Sequence, residues 1–141
     1  MSASPEPLPH AADANQARAS DPAASSWVSA NAGTGKTEVL VRRVLRLLLA
    51  GSEPQHVLCL TCTKMAADEM QNRLLGELAC WATLSDEQLR ARLAALLSRA
   101  ASDAEMQAAR RLFAFFFNDT ATTEIYTIHG FCERLLQRFP L

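Results

Sequence analysis

The chain has no excess of charge of either sign. Its 14 Lys and Arg stand against 15 Asp and Glu, a formal net charge of −1 over 141 residues. That excludes bulk attraction to nucleic acid, so a polyanion would have to meet a local patch. A long apolar run is also missing. Val39 to Ala50 comes nearest, but Arg42, Arg43 and Arg46 interrupt it, so no membrane span is expected. The N-terminus has no basic region followed by an apolar core, and no secretory signal is expected. Cysteines number four. Without a secretion signal, Cys59, Cys62, Cys80 and Cys132 read as free thiols of a reducing cytoplasm, the expected compartment. Cys59 and Cys62 form a C-x-x-C inside an apolar strand pattern. Residues three apart on a strand point to opposite faces, which argues against a metal or redox pair.

What is present is enough for one domain with a core: 49% apolar and 21% charged residues. The chain is organised around Ser29-Ala30-Asn31-Ala32-Gly33-Thr34-Gly35-Lys36-Thr37. Trp27-Val28 before it reads as the end of a short buried strand. Glu38 to Ala50 after it is an amphipathic helix without Gly or Pro. Strand, glycine loop and helix start, in that order, are the context a phosphate-binding loop requires. The glycines let several N–H groups converge on one cavity, and the helix adds its positive dipole end. Lys36 would meet the β- and γ-phosphates, and the Thr37 hydroxyl would ligate Mg²⁺. The general pattern asks for Gly where the chain has Ala30. The plainer alternative is a glycine turn capping an ordinary helix.

Taken in order, residues 1–14 read as a disordered tail, and Gln16 stands in a short polar helical turn, Asn15 to Ala19. Arg42, Arg43 and Arg46 read as a solvated face of the helix, which Gly51 ends as a left-handed cap. Val57 to Thr61 reads as a strand parallel to the first, which makes this an α/β chain built on a βαβ unit. Thr63 caps a second helix running to about Trp81, with Met70, Leu74, Leu78 and Trp81 on one face. Thr63 and Lys64 then stand at the sheet edge where such folds bind ligands. Capping boxes at Ser85 and Ser102 open a helical hairpin, about 85–113, inserted between strands. Phe115-Phe116-Phe117 beside a Thr-rich run is an aggregation-prone stretch that a soluble loop would avoid. Its Asp119 is a weak imitation of the acid that holds Mg²⁺ at a strand end. Glu124 to Ile128 reads as a strand, and Cys132 to Arg138 as a last helix. His129 and Phe131 lie at the junction between the two, where an imidazole and an aromatic ring could stack on a base.

Three of these stretches, in order, resemble the amino end of superfamily 1 DNA helicases of the UvrD type. Ala30 to Thr37 resembles their motif I, in which Ala at the first position is normal. Leu60 to Arg73 resembles motif Ia, L-T-F-T-x-x-A-A-x-E-M-x-x-R, and Thr127 to Phe131 resembles T-x-H-x-F. Trp27 to Gly33 and Phe131 to Leu136 are closer still to the AddA-type helicase–nuclease subunits of double-strand-break repair. The resemblance covers roughly residues 15–113 and 125–141. It implies a P-loop, RecA-like parallel sheet, here incomplete, and ATP-driven 3′-to-5′ translocation on single-stranded DNA. It implies ATP and Mg²⁺ at Lys36 and Thr37, with Gln16 as the adenine-reading glutamine. Thr63, Lys64, His129 and Phe131 would touch the DNA strand, and an AddB-like second subunit would be the partner.

The sequence departs from that family in two places. Cys62 replaces the Phe of motif Ia, a modest loss of apolar volume. Phe115 to about Tyr126 has no counterpart where the family has a short polar loop and strand, and the string resembles a translated sequencing adapter. The chain also ends at Leu141, before any D-E-x-x-D acids, arginine finger or second motor domain. An N-terminal piece of a helicase–nuclease subunit that does not hydrolyse ATP by itself is therefore the expectation. Two other readings remain: a small P-loop enzyme such as a kinase, using Asp119 as its acid, and a non-catalytic nucleotide-binding remnant that serves a partner protein.

Overall fold

The computed structural model describes residues 11–29, 31, 33, 35–118 and 124–139. Helix α1 spans Ala11–Ala19 and α2 spans Lys36–Leu49. A 3₁₀ turn at Pro54–His56 leads into strand β1, Leu58–Thr61. Helices α3 (Lys64–Thr83), α4 (Asp86–Leu97) and α5 (Asp103–Asn118) follow. Strand β2, Glu124–Thr127, and helix α6, Ile128–Gln137, complete the described chain.

The core lies among the helices, because that is where the apolar stripes meet. Val41, Val44, Leu45 and Leu48 of α2 pack with Met70, Leu74, Leu78 and Trp81 of α3, all at helical spacing. Leu89, Leu93 and Leu96 of α4 and Met106 and Ala109 of α5 close the cluster. Trp81 and Leu78 have no exposed surface at all. The helix ends obey local chemistry. Past α2, Gly51 takes φ +95°, its N–H donates to the Leu48 carbonyl, and the Ser52 N–H donates to Leu47 at 3.0 Å. This is a Schellman ending, and it places the left-handed residue where glycine costs least. Ser85 and Gln88 exchange both bonds of a capping box at α4, and Ser102 and Glu105 do the same at α5.

Several expectations are corrected. Trp27-Val28 is not the end of a buried strand: Trp27 is 95% exposed, and residues 25–29 pair with neither strand of the sheet. A strand needs a hydrogen-bonding neighbour, and among the described residues the sheet is β1 beside β2 alone. β1 therefore lies parallel to β2, in register from Leu58↔Glu124 to Thr61↔Thr127, and not to 27–28. Helix α1 begins at Ala11, inside the stretch read as a tail. Helix α5 runs on to Asn118, so the Phe stretch is helical: Phe115 is half exposed while Phe116 packs on the core. Helix α6 starts at Ile128 and not at Cys132, because Thr127 caps it.

The arginines of α2 are not a solvated face. Arg42 donates to the Ala95 carbonyl at 3.2 Å, while Arg43 and Arg46 grip the backbone of the last turn of α1 and the residues just after it. Hydropathy periodicity marks which face of a helix is polar, but it does not see carbonyls delivered by another segment.

Candidate nucleotide and nucleic-acid site

The first half of the site is the loop before α2. Gly33 and Gly35 take φ +81° and +80°, the left-handed region that an L side chain enters only with strain. Gly35 is the N-cap residue of α2, and among the described residues no side chain caps the helix there. The first intrahelical bond runs from the Val39 N–H to the Gly35 carbonyl at 3.1 Å. A helix start of this kind, at the positive end of the dipole, is suited to an anion. Lys36 and Thr37 are the first two helical residues. Lys36 Nζ reaches back to the Asn31 carbonyl at 2.6 Å, so its ammonium lies over the loop. Ala30, Ala32 and Thr34 of the expected loop lie outside the described residues.

Gln16 is brought to the same place: a Cβ built on Gly35 would lie 3.6 Å from Gln16 Nε2. Beside the loop is a 460 Å³ pocket lined by Ser25, Ser26, Val28, Lys36, Leu40 and Arg43. These groups fit a nucleoside triphosphate. The open helix start and Lys36 would hold phosphate, Thr37 would offer one hydroxyl to Mg²⁺, and the phosphates themselves would supply other oxygens.

The second half of the site is the carboxyl edge of the two-stranded sheet. Thr61 and Thr127 are register partners, so both strands deliver their chains to the same edge. Each strand then turns into a helix capped by a threonine. Thr63 Oγ1 accepts from the Ala66 N–H at 3.2 Å, and Thr127 Oγ1 accepts from the Gly130 N–H at 3.1 Å. A Cβ at Gly130 would come within 3.2 Å of that hydroxyl, so glycine gives the cap its room. Lys64 and His129 are exposed and Phe131 is half-buried. Arg134 lies over the Tyr126 ring at 4.8 Å, a cation–π contact. The edge thus carries Thr63, Lys64, His129 and Phe131 on two neighbouring helix starts.

The loop and this edge are linked through α3. Arg73 pairs with Glu69 at 2.7 Å and reaches Glu38, in the first turn of α2, at 3.5 Å. Among the described residues no group of three His, Cys, Asp or Glu could hold a metal ion. Cys59 and Cys62 are free thiols, and burial raises the Cys59 pKa, as for a packed structural thiol. No helix among the described residues is long and apolar enough to cross a membrane.

The architecture is mixed α/β, with a glycine loop at a helix start and a small parallel sheet. The chain belongs to the UvrD/REP helicase family, whose N-terminal domain matches residues 11–140. Over 112 residues, 79% of this chain, it is 31% identical to an ATP-dependent helicase/nuclease subunit of Lactiplantibacillus plantarum. Over the same length it is 35% identical to the protein of the same name in Enterococcus faecalis and 38% to that in Levilactobacillus brevis. The matches cover 8%, 7% and 7% of those proteins, so the chain spans a small fraction of its curated relatives. No solved structure matches the chain.

Proposed function

We propose that this chain is the nucleotide-binding, N-terminal part of an ATP-dependent DNA helicase–nuclease subunit that acts in double-strand-break repair. On this reading the complete fold is a P-loop, RecA-like sheet to which β1 and β2 belong. Lys36 neutralises phosphate charge, Thr37 ligates Mg²⁺ and Gln16 reads adenine. Thr63, Lys64, His129 and Phe131 meet single-stranded DNA across the carboxyl edge of the sheet. The whole protein would translocate 3′ to 5′ and work with a second, AddB-like helicase–nuclease subunit. Bound ATP would supply the phosphoryl group whose transfer drives movement. The residues of this chain bind and orient it.

One observation carries the proposal: two glycines at positive φ directly before a helix that no side chain among the described residues caps, and whose first residues are Lys36 and Thr37. A kinase-like reading would rest on Asp119, which lies outside the described residues. It also leaves Lys64, His129 and Phe131 without work, as does the nucleotide-binding remnant. The test is calorimetric binding of ATP–Mg²⁺ to the chain and to its Lys36→Ala variant. Loss of one ammonium–phosphate contact should weaken binding about tenfold or more. Equal affinity in the two proteins would remove the phosphate loop from the account.

A further inference from the structure

Helix α1 has little of its own with which to hold a position. Its sequence, Ala-Ala-Asp-Ala-Asn-Gln-Ala-Arg-Ala, offers no large apolar side chain, so burial alone fixes neither its place nor its rotation. Two arginines of α2 do so instead. Arg46 Nη1 donates to the Ala17 carbonyl at 3.0 Å and to Ser20 Oγ at 3.1 Å. Ser20 is fully buried and donates to the same Ala17 carbonyl at 3.0 Å. Arg43 Nη1 donates to the carbonyls of Ala19 at 3.3 Å and Asp21 at 2.6 Å, and its Nη2 donates to Ala24 at 2.6 Å. Ala17 and Ala19 are in the last turn of α1, where carbonyls lack helical partners and the dipole is negative. Gln16 stands in that same turn, its carbonyl bonded by the Ser20 N–H at 3.0 Å.

Helix α2 is also the helix that begins with Lys36 and Thr37. At 1.5 Å per residue, Arg43 and Arg46 stand about 10 and 15 Å from its tip along the axis. One rigid element therefore carries the phosphate loop at its end and the grip on α1 along its flank. We propose that Arg43 and Arg46 are positioning residues of the nucleotide site: they fix Gln16 against the loop and so set selectivity for the base. The proposal rests on the reading of Gln16 as the adenine contact. Arginine is needed because the planar fork of Arg43 serves separate carbonyls from its two terminal nitrogens. That of Arg46 holds Ala17 and Ser20 from Nη1 while Nη2 stands 4.0 Å from Asp21 Oδ1. A lysine ammonium concentrates its donors on one atom.

The test is calorimetric binding of ATP, GTP and inorganic tripolyphosphate, each with Mg²⁺, to the full chain and to Arg43→Lys and Arg46→Lys, with circular dichroism as the control for folding. Loosening Gln16 should weaken ATP about three- to tenfold, the worth of one hydrogen bond to an uncharged base edge, and leave GTP and tripolyphosphate unchanged. In a Gln16→Ala background Arg43→Lys should then add no further loss, because both changes act on the same contact. Equal weakening of all three ligands overturns the proposal, since it marks an arginine that meets phosphate or a general loss of structure. An unchanged ratio of ATP to GTP affinity in the variants also overturns it. If the unsubstituted chain does not prefer ATP over GTP, the adenine reading of Gln16 falls and takes the proposal with it. That result is distinguishable because it precedes any variant.

Discussion

Thr61 and Thr127 stand opposite each other at the last rung of the parallel β1–β2 pair, so α3 and α6 start from one edge of the sheet. Residues 66 positions apart in sequence are thereby made neighbours, and each brings a short polar and aromatic stretch with it. Lys64 sits one residue after the Thr63 cap, and His129 and Phe131 follow the Thr127 cap. Backbone pairing and capping position these groups before any ligand arrives.

A strand of DNA on that edge would meet a charge and a ring that fail in different ways. Lys64→Ala should weaken binding of an oligo-dT and reduce the salt slope of log K by about 0.7, one counterion on a single strand. Phe131→Ala should lose stacking worth about 1–3 kcal/mol with the slope unchanged. Fluorescence titrations at several salt concentrations separate the two. Identical behaviour of both variants would remove this edge from the DNA path.

Nucleotide binding should not be accompanied by turnover. Phosphoryl transfer requires acids that hold Mg²⁺ and activate water and an arginine on the transferring group, and the sequence has no D-E-x-x-D. The purified chain is expected to show no DNA-stimulated ATPase in a coupled assay. Turnover that disappears in Lys36→Ala would contradict this.

Arg110 latches the end of α3. Its guanidinium donates to the carbonyls of Trp81 at 2.7 Å, Ala82 at 3.0 Å and Leu84 at 2.6 Å, and to Asp86 at 2.9 Å. Substitution by Met keeps the stem but leaves partly buried carbonyls without that donor. The expected cost is about 2–3 kcal/mol in urea unfolding, against under about 0.5 for the exposed Arg111→Met.

Acid should act through two paired carboxylates, one joining α3 to α4 and one fastening the start of α5 to the connection before it. The Arg99 guanidinium beside Glu105 holds its carboxyl at about 2, against an ordinary 4.5. Arg92 likewise lowers Glu77 by hydrogen bonding, with burial opposing and Trp81 assisting. A lowered folded pKa means that the charged form is favoured by folding. The stabilisation is therefore present above the ordinary value and is lost as pH falls through the folded one. Glu105→Gln keeps the capping-box geometry and removes the charge. Its urea midpoint should lie below the unsubstituted protein's at neutral pH, and the gap should close as the pH falls from about 5 towards about 2. Arg99 is exposed, so salt should narrow the same gap.

The elements that carry their own instructions were legible in the sequence. The stripe Met70, Leu74, Leu78, Trp81 and the boxes at Ser85 and Ser102 depend on residues within a few positions of one another. So does the glycine after α2. What was not legible depends on a distant partner. Trp27-Val28 has strand composition, yet composition cannot supply the neighbouring strand. Arg43 and Arg46 read as solvated because their acceptors are backbone carbonyls of another segment, which hydropathy does not record. From its own neighbours Gln16 looked like any solvated glutamine, and only the resemblance gave it a place at adenine; its amide lies 3.6 Å from where a Cβ on Gly35 would stand.

The stretch from Phe115 to Tyr126 read in the sequence as a string without counterpart in the family. Phe115 and Phe116 extend α5 and meet edge to face at 6.5 Å, with Phe115 half exposed, an arrangement no soluble helix end requires. Glu124–Thr127 pairs with β1 in parallel register. Parallel pairing is made by backbone groups, so a half-buried four-residue strand of other composition would serve equally. Long reads across codons 115–126 of the locus should return a short polar loop and strand in place of this string. Independent reads that return the same string would make it a true part of the chain. In that case Phe115→Glu should raise the soluble fraction on expression, while Phe116→Glu, placed against the core, should unfold the end of α5.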